Sequence, residues 1–447
     1  MRNKNFTDRY ISILIYITIF SYSFTLAQEN IPNLIVSKTV EDAHFDFLKD
    51  LHGEESKNVG KLLGRLGLTS KGLSEYKRNE YNLYLDTYFP DASSDNVQMF
   101  LLELNISKEQ WADVEMSLLK FVYLYPQSSF YKKVINRGYS VLDEEKYFSS
   151  TRDKLIKLLG EAPKSGKTYQ RYHQLLSAIH GLNDKRLTEL FKIECWKYIQ
   201  LYPNHSQCSM VMMWLAQLNQ QNSNFHPAVM LYEKLMTLYP ASNDYSAALY
   251  QVSMLKQEKF NEYNDATVSF RKFLKKFPDH KYVAHAQYRI ATMADKNFDD
   301  WSTAVKEYEV LADDYPDFKY TIPSLLRMGE IQESKLKERN EAIKTYQRVY
   351  SIYPDSSEAA IEALFRSGNL YEKSKKYEEA IKEYMAVNSK YPNSSGSLKS
   401  LNKSADIYEK KMKNKEKAIE VLKMITANFS ESRDAKKAKR RISKLSK

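Results

Sequence analysis

Apolar side chains recur with a fixed period in the second half of this chain of 447 residues. An alanine recurs at equal steps along the sequence, at positions 228, 266, 304, 342, 380 and 418. A large apolar residue follows four positions after each alanine, and residues at this separation lie on the same face of an α-helix. The alanine lets a neighbouring helix approach closely, and the large side chain fills the space beside it. The pattern therefore predicts one amphipathic helix in every period.

An aromatic residue and a proline end each of these apolar stretches. The prolines recur at the same step as the alanines, at positions 240, 278, 316, 354 and 392, and Ser430 occupies the next position. Proline has no backbone N–H group and cannot continue the hydrogen-bond ladder of a helix, so the dipeptide marks a helix end. A small residue 13 positions after each proline predicts a second close helix contact. The sequence thus predicts an all-α protein of antiparallel helix pairs, in which each pair covers the apolar face of its neighbours.

Two segments carry a resemblance to a known family. EAIKTYQRVYSIYPDSSEAA (341–360) and YEEAIKEYMAVNSKYPNSS (377–395) resemble the tetratricopeptide repeat. The resemblance covers most of the chain and implies a right-handed superhelical solenoid of about ten repeats, each of about 38 residues where the family unit usually has about 34. It also implies a non-catalytic scaffold that needs no cofactor and binds proteins or peptides in a concave groove. The first-helix residues implied for this groove are Tyr250, Tyr288, Glu330 and Glu333, and a core role for the two tyrosines is an equal alternative.

The length of the unit and its aromatic-Pro-Asp/Asn-Ser ending carry a finer resemblance. Both are similar to the repeats of two bacterial envelope proteins, the outer-membrane assembly lipoprotein (BamD) and the Tol-Pal-associated protein (YbgF). This similarity implies a role in outer-membrane assembly or in envelope and division maintenance. The expected partners are then proteins or peptides of the cell envelope.

The N-terminal segment predicts export. Residues 1–27 combine a basic lead, the apolar core ISILIYITIF and a small residue at Ala27, which is typical of a signal peptide cleaved before Gln28. The expected location is the periplasm or the periplasmic face of the outer membrane. In an alternative interpretation, residues 10–27 remain as an anchor in the inner membrane, and the protein is a membrane-tethered adaptor.

The rest of the chain divides into three predicted parts. Residues 28–204 are expected to form degenerate repeats, residues 205–430 regular repeats, and residues 431–447 a basic capping helix. The formal net charge of the chain is +11, and the last part alone carries eight basic and two acidic side chains. Its basic side is expected to face water, or else to contact anionic lipid head groups or an acidic partner. Because the charge is concentrated there, it does not indicate nucleic-acid binding.

The segment GEAPKSGKT (160–168) resembles a phosphate-binding loop but lacks two of its requirements. Five residues rather than four separate its two glycines, and a helix rather than a buried strand is predicted before it. Pro163 instead occupies the position where the repeat places a proline. We interpret the segment as a turn between repeats, after which Lys167 and Thr168 open the next helix.

The two cysteines lie on either side of the turn at Pro203, on helices predicted to be antiparallel. In an oxidising compartment Cys195 and Cys208 could form a disulfide, and otherwise they are core side chains. A metal site that adds His205 lacks an evident fourth ligand, and no catalytic triad or dyad is evident. The sequence therefore predicts no metal ligand and no catalytic residue. A competing hypothesis is a ligand-binding, metal-binding or enzymatic function in the irregular half, which a polar pocket near residues 40–200 would support.

Overall fold

The structure is a computed structural model that describes residues 39–53 and 70–446. Contacts within the chain divide it into two units, Met1–Tyr202 (unit 1) and Pro203–Lys447 (unit 2). In these described residues the secondary structure is helical throughout, with 21 α-helices and no strand. The structure therefore confirms the predicted all-α fold of successive helix pairs.

The described part of unit 1 contains eight α-helices, with short 3-10 turns at Lys146–Phe148 and Lys185–Leu187. The helices are α1 (Val40–His52), α2 (Ser70–Tyr88), α3 (Ser94–Ser107), α4 (Trp111–Leu124), α5 (Tyr131–Glu144), α6 (Arg152–Glu161), α7 (Thr168–Leu182) and α8 (Thr188–Leu201).

Unit 2 repeats one helix pair six times and ends in a single helix. Its first helices are α9 (Cys208–Gln221), α11 (Asp244–Glu258), α13 (Val283–Lys296), α15 (Thr321–Ser334), α17 (Ser357–Lys373) and α19 (Ser395–Asp406). Its second helices are α10 (Phe225–Leu238), α12 (Tyr263–Lys276), α14 (Trp301–Asp314), α16 (Arg339–Ile352), α18 (Tyr377–Lys390) and α20 (Lys415–Asn428). The last helix, α21, is Arg433–Leu445, and each helix of the unit packs against the next along the chain.

The alanine and aromatic positions of the repeat form the core of unit 2. Ala342 and Tyr346 of α16 are both completely buried. A β-carbon added to Gly329 of α15 would lie 2.5 Å from the Tyr346 ring, so only a very small residue fits opposite the aromatic side chain. This contact is the physical reason for the small residue that recurs after each repeat proline.

The aromatic residue before a repeat proline ties one repeat to the previous one. The hydroxyl of Tyr239 donates a hydrogen bond to the carbonyl of Pro203 at 2.6 Å, and Tyr353 donates to the carbonyl of Pro316 at 2.8 Å. Each tyrosine directly follows a second helix, and each acceptor lies in the turn that ends the preceding repeat. The dipeptide therefore ends a helix and also satisfies a carbonyl group of the neighbouring turn.

The turn inside each pair of unit 2 contains one residue in the left-handed conformation. The φ angles of these six residues lie between 51° and 63°. Glycine adopts this conformation without steric cost, yet none of the six is glycine. They occupy the same place in every repeat and are Ser223, Asn261, Asp299, Lys337, Lys375 and Lys413. The backbone conformation thus repeats with the sequence period, even at positions whose side chain does not favour a positive φ angle.

Unit 1 departs from the regular order of packing. In unit 2 each second helix packs against the first helix of the next pair, but α4 packs against α7 as well as against α5. The segment 160–168 lies between α6 and α7. Helix α6 ends at Glu161, Pro163 lies in the turn, and Lys167 caps the start of α7. This confirms the interpretation of the segment as a turn between helices.

The last helix covers the end of the unit 2 core. Ala435 and Ala438 are buried, and Ile442 and Leu445 pack on a cluster that includes Leu422. The lysine and arginine side chains of α21 are mostly exposed. Within the parts of the chain that the structure describes, no helix has the length and apolar character needed to cross a bilayer.

Candidate functional site

The first helices of neighbouring pairs contact each other in unit 2. Helix α9 packs against α11, α15 against α17, and α17 against α19. Each first helix also packs against its own second helix. The first helices therefore line one side of the unit, which we call the first-helix face.

Aromatic rings form a continuous strip across part of this face, from α11 to the start of α15. Tyr250 of α11 stacks on Tyr282, and Tyr288 of α13 stacks on Tyr320, with 4.6 Å between ring centroids in both pairs. The ring of His285 lies 6.0 Å from that of Tyr250 and 6.4 Å from that of Tyr288. We define the aromatic strip as Tyr250, Tyr282, His285, Tyr288, Phe318 and Tyr320.

The rings of the strip keep part of their surface exposed. Tyr250 is buried, but Tyr282 is 36% exposed, and the remaining rings are half-buried. The ammonium groups of Lys281 and Lys319 lie 5.0 Å and 4.7 Å from the ring centroids of Tyr282 and Tyr320. Rigid, partly exposed aromatic side chains are the groups that most often anchor a protein partner. The strip therefore offers a preformed surface for apolar or aromatic side chains.

The centre of the strip is uncharged at neutral pH. Burial, with the positive charges of Arg289 and Lys319, lowers the pKa of His285 to about 4. A hydrogen bond of 2.5 Å joins Nδ1 of the neutral imidazole and the hydroxyl group of Tyr250. Burial raises the pKa of Tyr250 to about 12, so the phenol keeps its proton. These groups favour an apolar contact at the centre over an acidic one.

Ion pairs join the first helices along a second line. Nη2 of Arg327 in α15 lies 2.8 Å from Oδ1 of Asp295 in α13, and Nη2 of Arg366 in α17 lies 2.7 Å from Oε1 of Glu330 in α15. Each pair links a first helix to the one before it. We define the cation ladder as Arg289, Arg327, Arg366, Lys403 and Arg441. Their acceptors are, in the same order, Glu258, Asp295, Glu330, Glu372 and Asp406.

The rung at Asp295 is the most deeply buried of the ladder. The Asp295 side chain has no exposed surface, and Arg327 donates to both of its oxygens, from Nε at 2.9 Å and from Nη2 at 2.8 Å. The hydroxyl of Tyr308 donates to the same carboxylate at 3.3 Å. A charged carboxylate in a buried position is stable only when hydrogen-bond donors or positive charges, such as those found here, compensate its charge.

Three of the four groove residues predicted from the sequence fall on these two lines. Tyr250 and Tyr288 belong to the aromatic strip. Glu330 is an acceptor of the cation ladder, and the carboxylate of Glu333 forms a further pair with the ammonium group of Lys373 at 2.8 Å. Both carboxylates are thus engaged with the next first helix. That these four residues bind a partner stays a prediction.

The other predicted positions lie elsewhere. Ala27 and Gln28, the predicted cleavage position, lie outside the described residues. Cys195 and Cys208 are both buried, and the structure contains their side chains as thiols. Burial raises the pKa of both thiols, most strongly that of Cys195.

Two features of the face were not found from the sequence. The Lys-Tyr dipeptide at residues 281–282 recurs one period later at 319–320 and supplies two rings of the strip. A lysine or arginine also recurs 11 or 12 positions after each repeat proline from Pro278 to Pro392, and it supplies most of the ladder. Both recurring patterns are visible in the sequence. The acceptors of the basic residues and the stacking partners of the tyrosines are not, because they occupy different positions in different repeats.

The described residues contain no ready metal site. Across residues 39–53 and 70–446, His, Cys, Asp and Glu side chains do not form any group of three that could hold a metal ion.

Comparison with known proteins identifies the repeat. A family model described as tetratricopeptide repeat matches residues 285–317, 324–356, 362–394 and 401–432. The first three matched segments each end one or two residues after a repeat proline, so the model and the sequence period describe the same units. No curated protein matches the chain.

Several solved structures match the chain at low sequence identity. A tetratricopeptide repeat protein from Parabacteroides merdae is 11% identical, with a TM-score of 0.33, and the match covers 63% of this chain and 100% of that one. The TPR2AB domain of yeast Sti1, solved in a complex with pHSP90, is 14% identical, with a TM-score of 0.25. The match covers 54% of this chain and 100% of that one. A thermophilic TPR protein from Thermus thermophilus is 16% identical, with a TM-score of 0.22. The match covers 44% of this chain and 97% of that one.

Proposed function

Since tetratricopeptide repeats succeed one another from residue 285 to residue 432, we propose that this protein is a non-catalytic scaffold that binds a protein partner on the first-helix face of unit 2. Repeats of this kind build extended surfaces from stacked helix pairs and use them for protein–protein interaction. The aromatic strip is the observation that carries the proposal. It places partly exposed rings of successive repeats next to one another, where one partner segment can contact all of them.

The proposed partner segment has an apolar anchor and acidic flanks. The strip is uncharged at its centre and is flanked by Lys281 and Lys319. A segment with an aromatic or aliphatic anchor and acidic residues on either side complements both features. The cation ladder holds neighbouring repeats in register, so that the rings are already in position before the partner arrives.

The proposed location is the bacterial cell envelope. The support is the export signal predicted for residues 1–27 and the similarity of the long repeat to those of envelope scaffolds. In this proposal the protein is cleaved before Gln28 and assembles outer-membrane or envelope-maintenance partners. An uncleaved signal would instead tether the same scaffold to the inner membrane.

The test is a crosslinking pull-down of the full-length, C-terminally tagged chain from its own cells, with partners identified by mass spectrometry. The variant Tyr282→Ser/Tyr320→Ser removes two partly exposed rings of the strip. The matched control is Met230→Ser/Val268→Ser, which removes two apolar side chains, 70% and 67% exposed, from the second helices α10 and α12. Circular dichroism establishes that each variant is folded.

We expect partners that the wild type and the control recover equally and that the strip variant loses. Recovery of the same partners by the strip variant would show that the strip does not bind them. Envelope proteins among the partners, and a chain whose first residue is Gln28, support the proposed location. A partner set without any envelope protein overturns the location while leaving the binding surface to be judged by the variants.

A further inference from the structure

Unit 1, in which the helices pack irregularly, contains a cleft. Because α4 packs against α7, the ends of α2, α4 and α8 surround a cavity of about 350 Å³. Charged and amide side chains line one part of it, and apolar and aromatic side chains line the rest. The lining residues include Asp86, Phe89, Gln98, Lys120, Tyr125 and Lys197.

Four ionisable groups of both signs meet at the polar part of the cleft. The ammonium group of Lys120 lies 2.9 Å from Oε1 of Glu194, and that of Lys197 lies 3.6 Å from the same oxygen. The ammonium group of Lys197 also lies 2.7 Å from Oδ1 of Asp86. The hydroxyl of Tyr172 donates to the other oxygen of Glu194 at 2.6 Å. Both oxygens of the Glu194 carboxylate thus have hydrogen-bond donors, whereas each ammonium group has three N–H donors that need acceptors.

The charges of this group are balanced. Burial lowers the pKa of Lys120, and burial alone would raise that of Glu194, but Lys120 and Lys197 hold the pKa of Glu194 below its usual value. Two ammonium groups therefore face two carboxylates. A ligand with a net charge would leave an uncompensated charge in a partly desolvated site, which is costly. The cleft favours a ligand that is neutral overall.

Gln98, a lining residue of the same cleft, has an amide oxygen without a hydrogen-bond partner. Gln98 has no exposed surface, and its Oε1 makes no hydrogen bond, although its Nε2 donates to the carbonyl of Ser117 at 3.5 Å. A buried amide oxygen without a donor costs free energy that a bound group can recover. The ligand that fits this oxygen carries a hydrogen-bond donor.

The remaining wall of the cleft is apolar. Phe89 and Tyr125 meet edge to face with 6.2 Å between ring centroids, and Phe89 lies 5.8 Å from Tyr172 in the same manner. The side chains that complete the wall are Leu85, Leu124 and Leu201. An apolar or aromatic side chain of a ligand would be buried here.

We propose that the cleft binds a small zwitterion, a free α-amino acid with an apolar or aromatic side chain. Its carboxylate contacts the ammonium groups of Lys120 and Lys197, and its ammonium group donates to Gln98 and faces Asp86. Its side chain lies against Phe89 and the leucines. This site belongs to unit 1 and is independent of the partner surface proposed for unit 2. It gives the irregular half of the chain a ligand-binding role.

The test is isothermal titration calorimetry of the full chain with phenylalanine and leucine. Phenylalaninamide lacks the carboxylate and N-acetylphenylalanine lacks the ammonium group, so each removes one half of the zwitterion at constant side chain. We expect binding of the amino acids and a loss of at least about tenfold in affinity for each analogue. Glucose and sodium phosphate serve as an uncharged polar probe and an anionic probe.

The variant Gln98→Met keeps the size of the side chain and removes the amide. We expect it to bind the amino acids at least about tenfold more weakly while its thermal melting matches the wild type. The control Gln200→Met changes a glutamine of the same cleft that no part of the proposal uses. The proposal is overturned if neither amino acid produces a heat of binding at millimolar concentration, or if the analogues bind as well as the amino acids. Tighter binding of glucose or phosphate also overturns it, as does wild-type affinity in a folded Gln98→Met variant.

Discussion

The two units use the same helix pairs but place their polar groups differently. In unit 2 every repeat has the same length, and the fully buried carboxylate of Asp295 receives donors from a neighbouring first helix and from Tyr308. In unit 1 the helices pack out of order, and Glu115 is buried with both carboxylate oxygens lacking a hydrogen bond. The regular packing of unit 2 brings the carboxylate of Asp295 opposite an arginine of the next repeat. The irregular packing of unit 1 leaves the carboxylate of Glu115 without such a partner.

Removing the arginine of the most buried rung should have the largest effect on unit 2. Arg327→Met leaves the fully buried Asp295 without its principal donor. We expect the free energy of unfolding to fall by about 3 kcal/mol, at the low end for a broken buried pair because Arg327 itself is 40% exposed. Urea denaturation followed by circular dichroism measures this.

The control for this rung is an exposed pair of the same unit. Lys410→Met breaks a pair with Asp406 whose side chains are 61% and 42% exposed, and it should change the free energy of unfolding by less than about 0.5 kcal/mol. Similar effects for the two variants would mean that burial does not distinguish the two pairs.

Glu115 should make unit 1 less stable at alkaline pH. Burial, together with the charge of Asp184, raises its pKa to about 7. The folded state therefore holds this proton more tightly than the unfolded state, and stability falls as the pH rises from about 4.5 to about 7. Glu115→Gln, which cannot ionise, should raise the free energy of unfolding at pH 8 by about 2 kcal/mol. Urea denaturation at pH 8 and pH 5 tests this, since the gain should shrink at pH 5.

His285 should give unit 2 the opposite dependence on pH. Its pKa of about 4 lies below the ordinary value of 6.5, so the unfolded state binds the proton more tightly. Stability is then complete above about pH 6.5 and is lost as the pH falls toward 4. His285→Gln should reduce this loss by about 1 kcal/mol, a figure discounted because the imidazole is only half-buried. Hydrogen exchange of peptides from α11 and α13, comparing variant and wild type at each pH, reads out unit 2 directly.

The exposed histidine His226 of α10 supplies the control. His226→Gln measures what the loss of a histidine does when no buried hydrogen bond to Tyr250 is involved. If His285→Gln and His226→Gln follow the same curve with pH, His285 is not the source of the dependence.

The left-handed turn residues should give the smallest effect. Lys375 has φ 59°, which costs a side chain with a β-carbon about 1 kcal/mol. Lys375→Gly removes this cost but adds backbone entropy to the unfolded state, so we expect a gain below about 1 kcal/mol. Thermal melting detects it, and Lys376→Gly, one residue further along the chain, should instead be neutral or destabilising.

Most of the fold of unit 2 was predictable because its determinants are side chains in fixed positions. The contact between Gly329 and Tyr346 joins two positions that the period marks in every repeat, and the repeat proline marks each helix end. Of the six residues of the aromatic strip, only two were named from the sequence. Tyr250 and Tyr288 lie at equivalent positions, but their stacking partners come from the start of the following repeat, and the period does not show which ring faces which.

The cleft of unit 1 could not be predicted from the sequence. Lys120 and Glu194 lie in distant parts of the chain, and nothing local indicates that α4 packs against α7 as well as against α5. An ion pair of this kind depends on the order of packing. The same fact explains why Pro163 correctly predicted a turn while giving no information on where the helices beside it would lie.

The six left-handed turn residues also mark places where whole repeats can be exchanged. Any two of them, such as Asp299 and Lys375, have the same backbone conformation and are separated by a whole number of repeats. A gene segment lost or duplicated between two such positions would leave the remaining helices in register. Unit 2 can therefore grow or shrink during evolution by one helix pair at a time.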